Sequence, residues 1–519
     1  MKNCNEISPL MRNYNQFTLA VNKPHIIPGC GIDGRMVLYA PEYPTDIPCD
    51  AEHLLVSLSE QVVKYQRRGI SGVYFGLESD RGKGYYVGKA AEDNGHVLVV
   101  GTNGSGKSVV IAKSTLETWR APLVALDIKG ELSEHYRRLA KKGRVERPYK
   151  VFDPANGGVH YNPYALLKVE DPAFPQFVRE IADAIIPLPL DARDPYWIHM
   201  ARHLLSGAIA YCFCNQMSFS ETMSYIQAAS TAELCQKIKS SSNLLARMFV
   251  SKISDLKPEH HAIIESEVVS HTMVFATDSL IQDALSDDKD SEMFSWDCLM
   301  DNEAPNIFLA LSQDRLEQWS GVIRLMVTQL IRQLERRPDR FSDEKHEVPP
   351  LLILLDEFPM LGKMDIITSG LTTLRSKNVT FCLFLQSIAQ LDAVYGSNVQ
   401  RIMVDNCQYK AILNVTEPDS QEYFSKLFGS VLAENRSHSI NLSLPMSVSL
   451  GQQAQVSRQP LILPEEFAIN PNVLLHTPYG VFGAIKLHVS VTHGNIDSFN
   501  STIRNYQVRV DNICWRYRK

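Results

Sequence analysis

The run Gly101-Thr102-Asn103-Gly104-Ser105-Gly106-Lys107-Ser108 follows the pattern Gly-x-x-x-x-Gly-Lys-Ser. Glycines at these places let successive backbone N–H groups turn inward around a chain of phosphates, and the positive end of a following helix adds to the pull. A lysine in the seventh place suits the β- and γ-phosphates of ATP, and the serine hydroxyl behind it suits the accompanying Mg²⁺. The expected cradle therefore runs from Gly101 to Val109, with Lys107 also serving the reaction and Ser108 holding metal. The plain structural alternative is a glycine turn joining a strand to a helix.

A second cluster lies far along the chain, where Leu351-Leu-Ile-Leu-Leu355 ends in Asp356 and Glu357. An apolar strand that delivers two acids at its C-terminal end beside a phosphate loop can hold the Mg²⁺ shell through Asp356. Glu357 can then act as general base on the attacking water. Gln386 follows the next apolar run, Thr380 to Leu385, and suits either sensing the γ-phosphate or capping a helix. Arg375, in the loop-like Leu374-Arg-Ser-Lys-Asn378, suits an arginine finger reaching a neighbouring subunit or an ordinary solvated side chain. Asp127, Lys129 and Glu131 follow the run Leu123 to Leu126, where the ends of parallel strands build sites, or belong to a surface loop.

The elements that must position these groups are legible as hydrophobic periodicity. His96-Val-Leu-Val-Val100 reads as a strand buried on both faces, and Val109 to Trp119 as the helix after it. Strand-like runs recur at Asn306 to Leu311, 351–355, 380–385 and Lys410 to Val415, with a helix around Val322 to Leu334. Strands separated by helices imply a doubly wound, mostly parallel sheet. Before the loop, residues 1–90 read as a small mixed α/β region, with a helical stripe of Leu54, Leu55, Leu58 and Val62 and short strands at Val73 to Leu77 and Tyr85 to Val87. Between 166 and 300 strand runs give way to helical patterns, for example Trp197, Ala201, Leu204, Leu205, Ala208 and Tyr211 on one face. This is an expected all-α insertion, dividing the core into 91–165 and 301–519. Ser437 to Pro460 alternates apolar and small polar residues, as a ribbon or a flexible loop does.

The 519 residues exceed one hydrophobic core. A net charge of −6 excludes a general polycation, so any nucleic-acid contact has to come from a local patch. One basic run spans Arg137, Arg138, Lys141, Lys142, Arg144, Arg147 and Lys150, and fits either phosphate contacts or a solvated helix face. No apolar stretch reaches the ~18 residues of a membrane span, and the start of the chain carries no apolar signal core. The ten cysteines are scattered without metal-site spacing.

Several stretches together resemble the type IV secretion coupling proteins of the TraG/TraD type. The resemblance rests on His96 through Ser108 and on Leu126-Asp-Ile-Lys-Gly-Glu131. Phe152-Asp-Pro154 with Asn162-Pro163 and Leu354-Leu-Asp-Glu-Phe-Pro-Met-Leu-Gly362 add to it. So do Leu385-Gln-Ser387, Gln390-Leu391, Tyr395-Gly396, Arg458-Gln-Pro-Leu461 and Pro464-Glu-Glu466. These follow the family's order from about 90 to 480, and the block around Asp356 is the most specific. The resemblance implies a RecA-like P-loop NTPase core with an all-α inserted domain, six subunits in a ring around DNA, and ATP with Mg²⁺ as cofactors. It also implies as partners single- or double-stranded DNA, a relaxase or other secretion substrate, and components of the secretion channel. Two departures stand out: the family's N-terminal membrane helices have no counterpart, and Ser108 stands where many members carry glycine. The expected protein is a cytoplasmic motor that reaches the inner face of the membrane through a partner. A soluble hexameric DNA pump outside secretion and a non-hydrolysing ATP-binding receptor are the alternatives.

Overall fold

The computed structural model describes residues 37–40, 43–48, 72–80, 83–91, 93–188, 194–288, 290–301, 303–340, 348–443, 447–469, 472–478 and 480–486. The expected helical stripe at Leu54 to Val62 lies outside them. The chain divides into two compact units, one of residues 1–120 with 382–519 and the other of residues 121–381.

In the first unit, Val97–Val100 is the strand that leads into the glycine-rich loop, and its four side chains are fully buried. It lies parallel to Tyr409–Ile412 on one side, with Val97 opposite Tyr409, and to Cys382 through Leu385 on the other. Strands covered on both faces need no polar alternation, which is why Val97–Val100 and Cys382 through Leu385 read as unbroken apolar runs, while Tyr409–Ile412 carries the buried Lys410. Beyond Tyr409–Ile412 the pairing turns antiparallel through Asn472–Thr477, Gly480–Lys486, Gly72–Asp80 and Lys83–Ala90. The strand expected to reach Val415 stops at Ile412. Past it, Asn414 turns its carbonyl to the glycine-rich loop, accepting from the Thr102 N–H at 2.8 Å. Ser430–Ser443 and Ser447–Pro460 form a long antiparallel ribbon, so of the two readings of that alternating segment the ribbon is the one observed.

In the second unit, Leu351–Leu355, Leu123–Asp127, Asn306–Ala310 and Tyr149–Phe152 lie side by side, all parallel. Asn306 fixes one end of this set, since its buried Oδ1 accepts from the Leu123 N–H at 3.1 Å. Tyr136, on the helix Glu131–Lys141, packs on Phe308 with ring centroids 5.3 Å apart and ties that helix to the sheet. Burying an aromatic ring of this size contributes about 1.5–3 kcal/mol. The helix Ser320–Glu335 returns the chain from Asn306–Ala310 towards Leu351–Leu355.

Helices dominate from Phe174 to Ala284, as seven α-helices and the short 3-10 turn Ile253–Asp255 among the described residues. Phe219–Ala228 and Thr231–Ser240 begin with reciprocal capping boxes, Ser218 with Glu221 and Ser230 with Glu233, which satisfy N–H groups that a helix start leaves unpaired. Asp278 caps Ser279–Ala284 and also accepts from Trp319 Nε1 at 2.9 Å, joining the helical group to the segment that opens Ser320–Glu335. No described helix is long and apolar enough to cross a membrane.

Candidate functional site

The glycine-rich loop takes its shape from backbone geometry that side chains oppose. Gly104 and Gly106 sit at φ +76° and +98°, in the left-handed region that favours glycine. At Gly101 the limit is space: a Cβ there would lie 2.6 Å from Ser105 Oγ and 2.9 Å from Leu413 Cβ. The loop is pinned from both sides, by Gly101 N–H to the Leu385 carbonyl at 3.2 Å and by Thr102 N–H to the Asn414 carbonyl at 2.8 Å. From Lys107 the chain winds as a wide π-type turn to Ala112 and continues as the α-helix Lys113–Thr118, within the helix expected at 109–119. Lys107 is buried and bends over the loop, donating to the carbonyl oxygens of Gly101 and, at 3.0 Å, of Thr102. Asn103 and Gly104 are exposed, Thr102, Ser105, Gly106 and Ser108 half-buried, and Val109 points outward. Gln386 stands one residue beyond Leu385, so the structure brings it to the same strand edge as the loop. Its N–H donates to Gln390 Oε1 at 3.1 Å, at the start of the helix Ile388–Tyr395.

In the second unit the acids leave the end of Leu351–Leu355. Leu355 pairs with Leu126, and the Asp356 N–H donates to the Leu126 carbonyl at 3.3 Å. Asp356 is buried. Glu357 adopts φ +48°, ψ +44°, a left-handed conformation that costs a non-glycine residue on the order of 1 kcal/mol. Its Oε1 forms an ion pair with Lys129 Nζ.

The three charged residues at and beyond the end of Leu123–Asp127 part company. Asp127 is fully buried; its Oδ2 accepts from the Ser133 N–H at 2.8 Å and so caps the Glu131–Lys141 helix. Burial raises its pKa above the ordinary carboxylate value, against the hydrogen bonds from Ser133 and Leu132. Glu131 is exposed. Lys129, to which sequence reasoning gave no specific role, is the residue that meets Glu357. Its pKa is raised, first by that hydrogen bond and, against some desolvation, by the charges of Glu357, Asp356 and Glu131. Arg375 lies exposed in the turn after Asp365–Thr373, its carbonyl accepting from Asn378 N–H at 3.3 Å.

The basic run divides as well. Arg147 donates to the Ala304 carbonyl at 2.8 Å, and Lys150 to the Met293 carbonyl at 2.6 Å, both holding strand ends in place. Arg137, Arg138, Lys141, Lys142 and Arg144 are exposed, the first two pairing with Glu134. Among the described residues no cluster of His, Cys, Asp and Glu is arranged to hold a metal ion by itself.

The profile of the family described as type IV secretory system conjugative DNA transfer matches residues 56–469. The chain belongs to that family. Among its relatives, VirD4 of Agrobacterium fabrum is 26% identical over 385 residues, covering 72% of this chain and 54% of VirD4. A conjugal transfer protein TraG of Escherichia coli is 24% identical over 427 residues, covering 76% of this chain and 64% of TraG. The chain thus spans between half and two thirds of these relatives' length. Among solved structures, the bacterial conjugative coupling protein TrwBdeltaN70 in its unbound monoclinic form superimposes with a TM-score of 0.61 at 17% identity, over 78% of this chain and 87% of that one. TrwB in complex with ADP and Mg²⁺ gives 0.58 at 17% identity, over 77% and 86%. These likenesses show the fold: an α/β P-loop NTPase of the coupling-protein type, as the strand pattern and the phosphate loop lead one to expect.

Proposed function

We propose that this member of the conjugative DNA transfer family is an ATP-hydrolysing motor that recruits DNA, or a relaxase–DNA complex, and drives it towards a type IV secretion channel. The observation that carries the reading is the complete phosphate loop, with Lys107 and left-handed Gly104 and Gly106, inside a family match that spans residues 56–469. In this reading the Gly101–Val109 backbone and Lys107 bind the phosphates, and Ser108 with Asp356 holds Mg²⁺. Glu357 takes the proton from the attacking water. Gln386 contacts the γ-phosphate, and Arg375 acts in trans across a homo-hexameric ring. The exposed basic face Arg137 to Arg144 supports salt-sensitive, sequence-independent contact with DNA. The helical stretch 166–300 serves as an insertion between 91–165 and 301–519, and the motor works in the cytoplasm, docked through its N-terminal 90 residues on a partner.

The test is Mg²⁺-dependent ATP turnover by the purified chain beside two variants. Lys107→Ala should lose nucleotide binding and turnover together. Glu357→Gln keeps the shape of the side chain but not its basicity, and should bind ATP and stall. Normal turnover by Glu357→Gln removes that residue from the chemistry, whereas ATP binding without turnover by the unaltered chain points to a receptor. Turnover with DNA but no capture of a relaxase would favour a pump outside secretion.

A further inference from the structure

Leu123–Asp127 and Leu351–Leu355 are neighbouring parallel strands, so the loops that follow them leave from the same edge. One loop carries Lys129 and the other Glu357, and the two side chains meet in an ion pair. The pair is asymmetric. The Glu357 side chain is 10% exposed, while that of Lys129 is 41% exposed. Lys129 also lines a cleft of about 290 Å³ with Asp153, Asn156, Gln313 and Asp314.

A glutamate on an ordinary loop has three side-chain torsions over which its carboxylate wanders. Here two constraints remove that freedom. The left-handed backbone at Glu357 sets the direction in which the side chain leaves the chain, and its carbonyl accepts from the Met360 N–H at 2.9 Å, closing the turn. The ammonium of Lys129 then holds one carboxylate oxygen, Oε1, and in the role proposed above the other oxygen is the one that would take the proton of the attacking water. With Lys129 open to solvent and Glu357 nearly buried, water screens the pair's attraction from the lysine side, and its larger effect lies in orientation, where a misplacement of 1 Å can cost about 100-fold in rate.

We propose that Lys129 is a positioning residue for Glu357, fixing the direction of its carboxylate and thereby setting turnover rather than nucleotide affinity. This rests on the proposed role of Glu357 as general base.

The test compares the full chain with Lys129→Met, Lys129→Arg, Glu357→Gln and the double variant Lys129→Met/Glu357→Gln, by ATP turnover, binding of a fluorescent ATP analogue and thermal unfolding. Lys129→Met should lower kcat by roughly 10- to 100-fold with KM and analogue affinity nearly unchanged. Lys129→Arg, which keeps the charge and a donor, should recover most of the loss. The double variant should be no slower than Glu357→Gln, because a positioning residue has nothing left to position. Unchanged kcat in Lys129→Met, losses that multiply in the double variant, or a fall in affinity and melting temperature that accounts for the lost rate would each overturn the proposal. If Glu357→Gln turns over normally, the assignment of Glu357 falls and this inference with it. If Glu357→Gln stalls while Lys129→Met is normal, the inference alone falls.

Discussion

At the scale of single residues, the phosphate loop is held by what its glycines lack. Adding a methyl at Gly101 sets it against Ser105 Oγ, which can rotate away, and against Leu413 Cβ, which cannot without moving the backbone just past Tyr409–Ile412, held by the Leu413 N–H to the Val100 carbonyl at 2.8 Å. Gly101→Ala should therefore cost about 1–3 kcal/mol of stability and weaken nucleotide binding, read by thermal unfolding and analogue titration. Unchanged values in both would show that the loop relaxes freely. The loop and the Asp-Glu pair were legible in the sequence because each is a local pattern with its own strand signal. The partnership of Lys129 with Glu357 was not, since it depends on which of several apolar strands lie side by side. Once Leu126 is known to pair with Leu355, the charged residues that follow each strand fall within reach of one another. Asp127 escaped for a different reason: a carboxylate after a strand looks exposed in sequence, and only the Glu131–Lys141 helix folding back over it makes it a buried cap.

At the scale of elements, the helical stretch depends on how its helices begin. Ser218 and Ser230 each accept from the N–H of a glutamate three residues on, and each glutamate accepts in return. Ser218→Ala or Ser230→Ala should cost about 1 kcal/mol, and the two together should be nearly additive if the caps act independently, as urea unfolding would show. The same contacts predict a pH dependence. Hydrogen bonds from the Ser218 and Ser230 backbones hold Glu221 and Glu233 below their usual value of 4.5. With the folded value depressed, their contribution is present above pH 4.5 and is lost as pH falls through the folded values. A Glu221→Gln/Glu233→Gln variant should lose less stability than the unaltered chain as pH falls below 4.5; parallel losses would assign acid sensitivity to other groups. The helical character of this region was readable from periodicity, but the split of the basic run was not. Arg147 and Lys150 are spent on the Ala304 and Met293 carbonyls, a tertiary use that a linear run of charge does not reveal.

At the scale of the whole molecule, the proposed ring makes a prediction about mixtures. If Arg375 completes the site of a neighbour, Arg375→Ala should bind ATP without hydrolysing it, a loss of about 10³–10⁵ in rate where such fingers operate. Mixing it with Lys107→Ala should restore part of the activity, because some interfaces then join an intact phosphate loop to an intact arginine. Mixed assembly without rescue would place Arg375 in a structural role. The central claim, that this chain is a DNA-moving ATPase, is met most directly by ATP turnover measured with no DNA, with single-stranded DNA and with double-stranded DNA, at rising salt. The account predicts that DNA raises turnover, that the stimulation fades as salt displaces phosphate contacts, and that Lys107→Ala abolishes it. Turnover that is indifferent to either DNA, in protein shown to bind ATP, would contradict it.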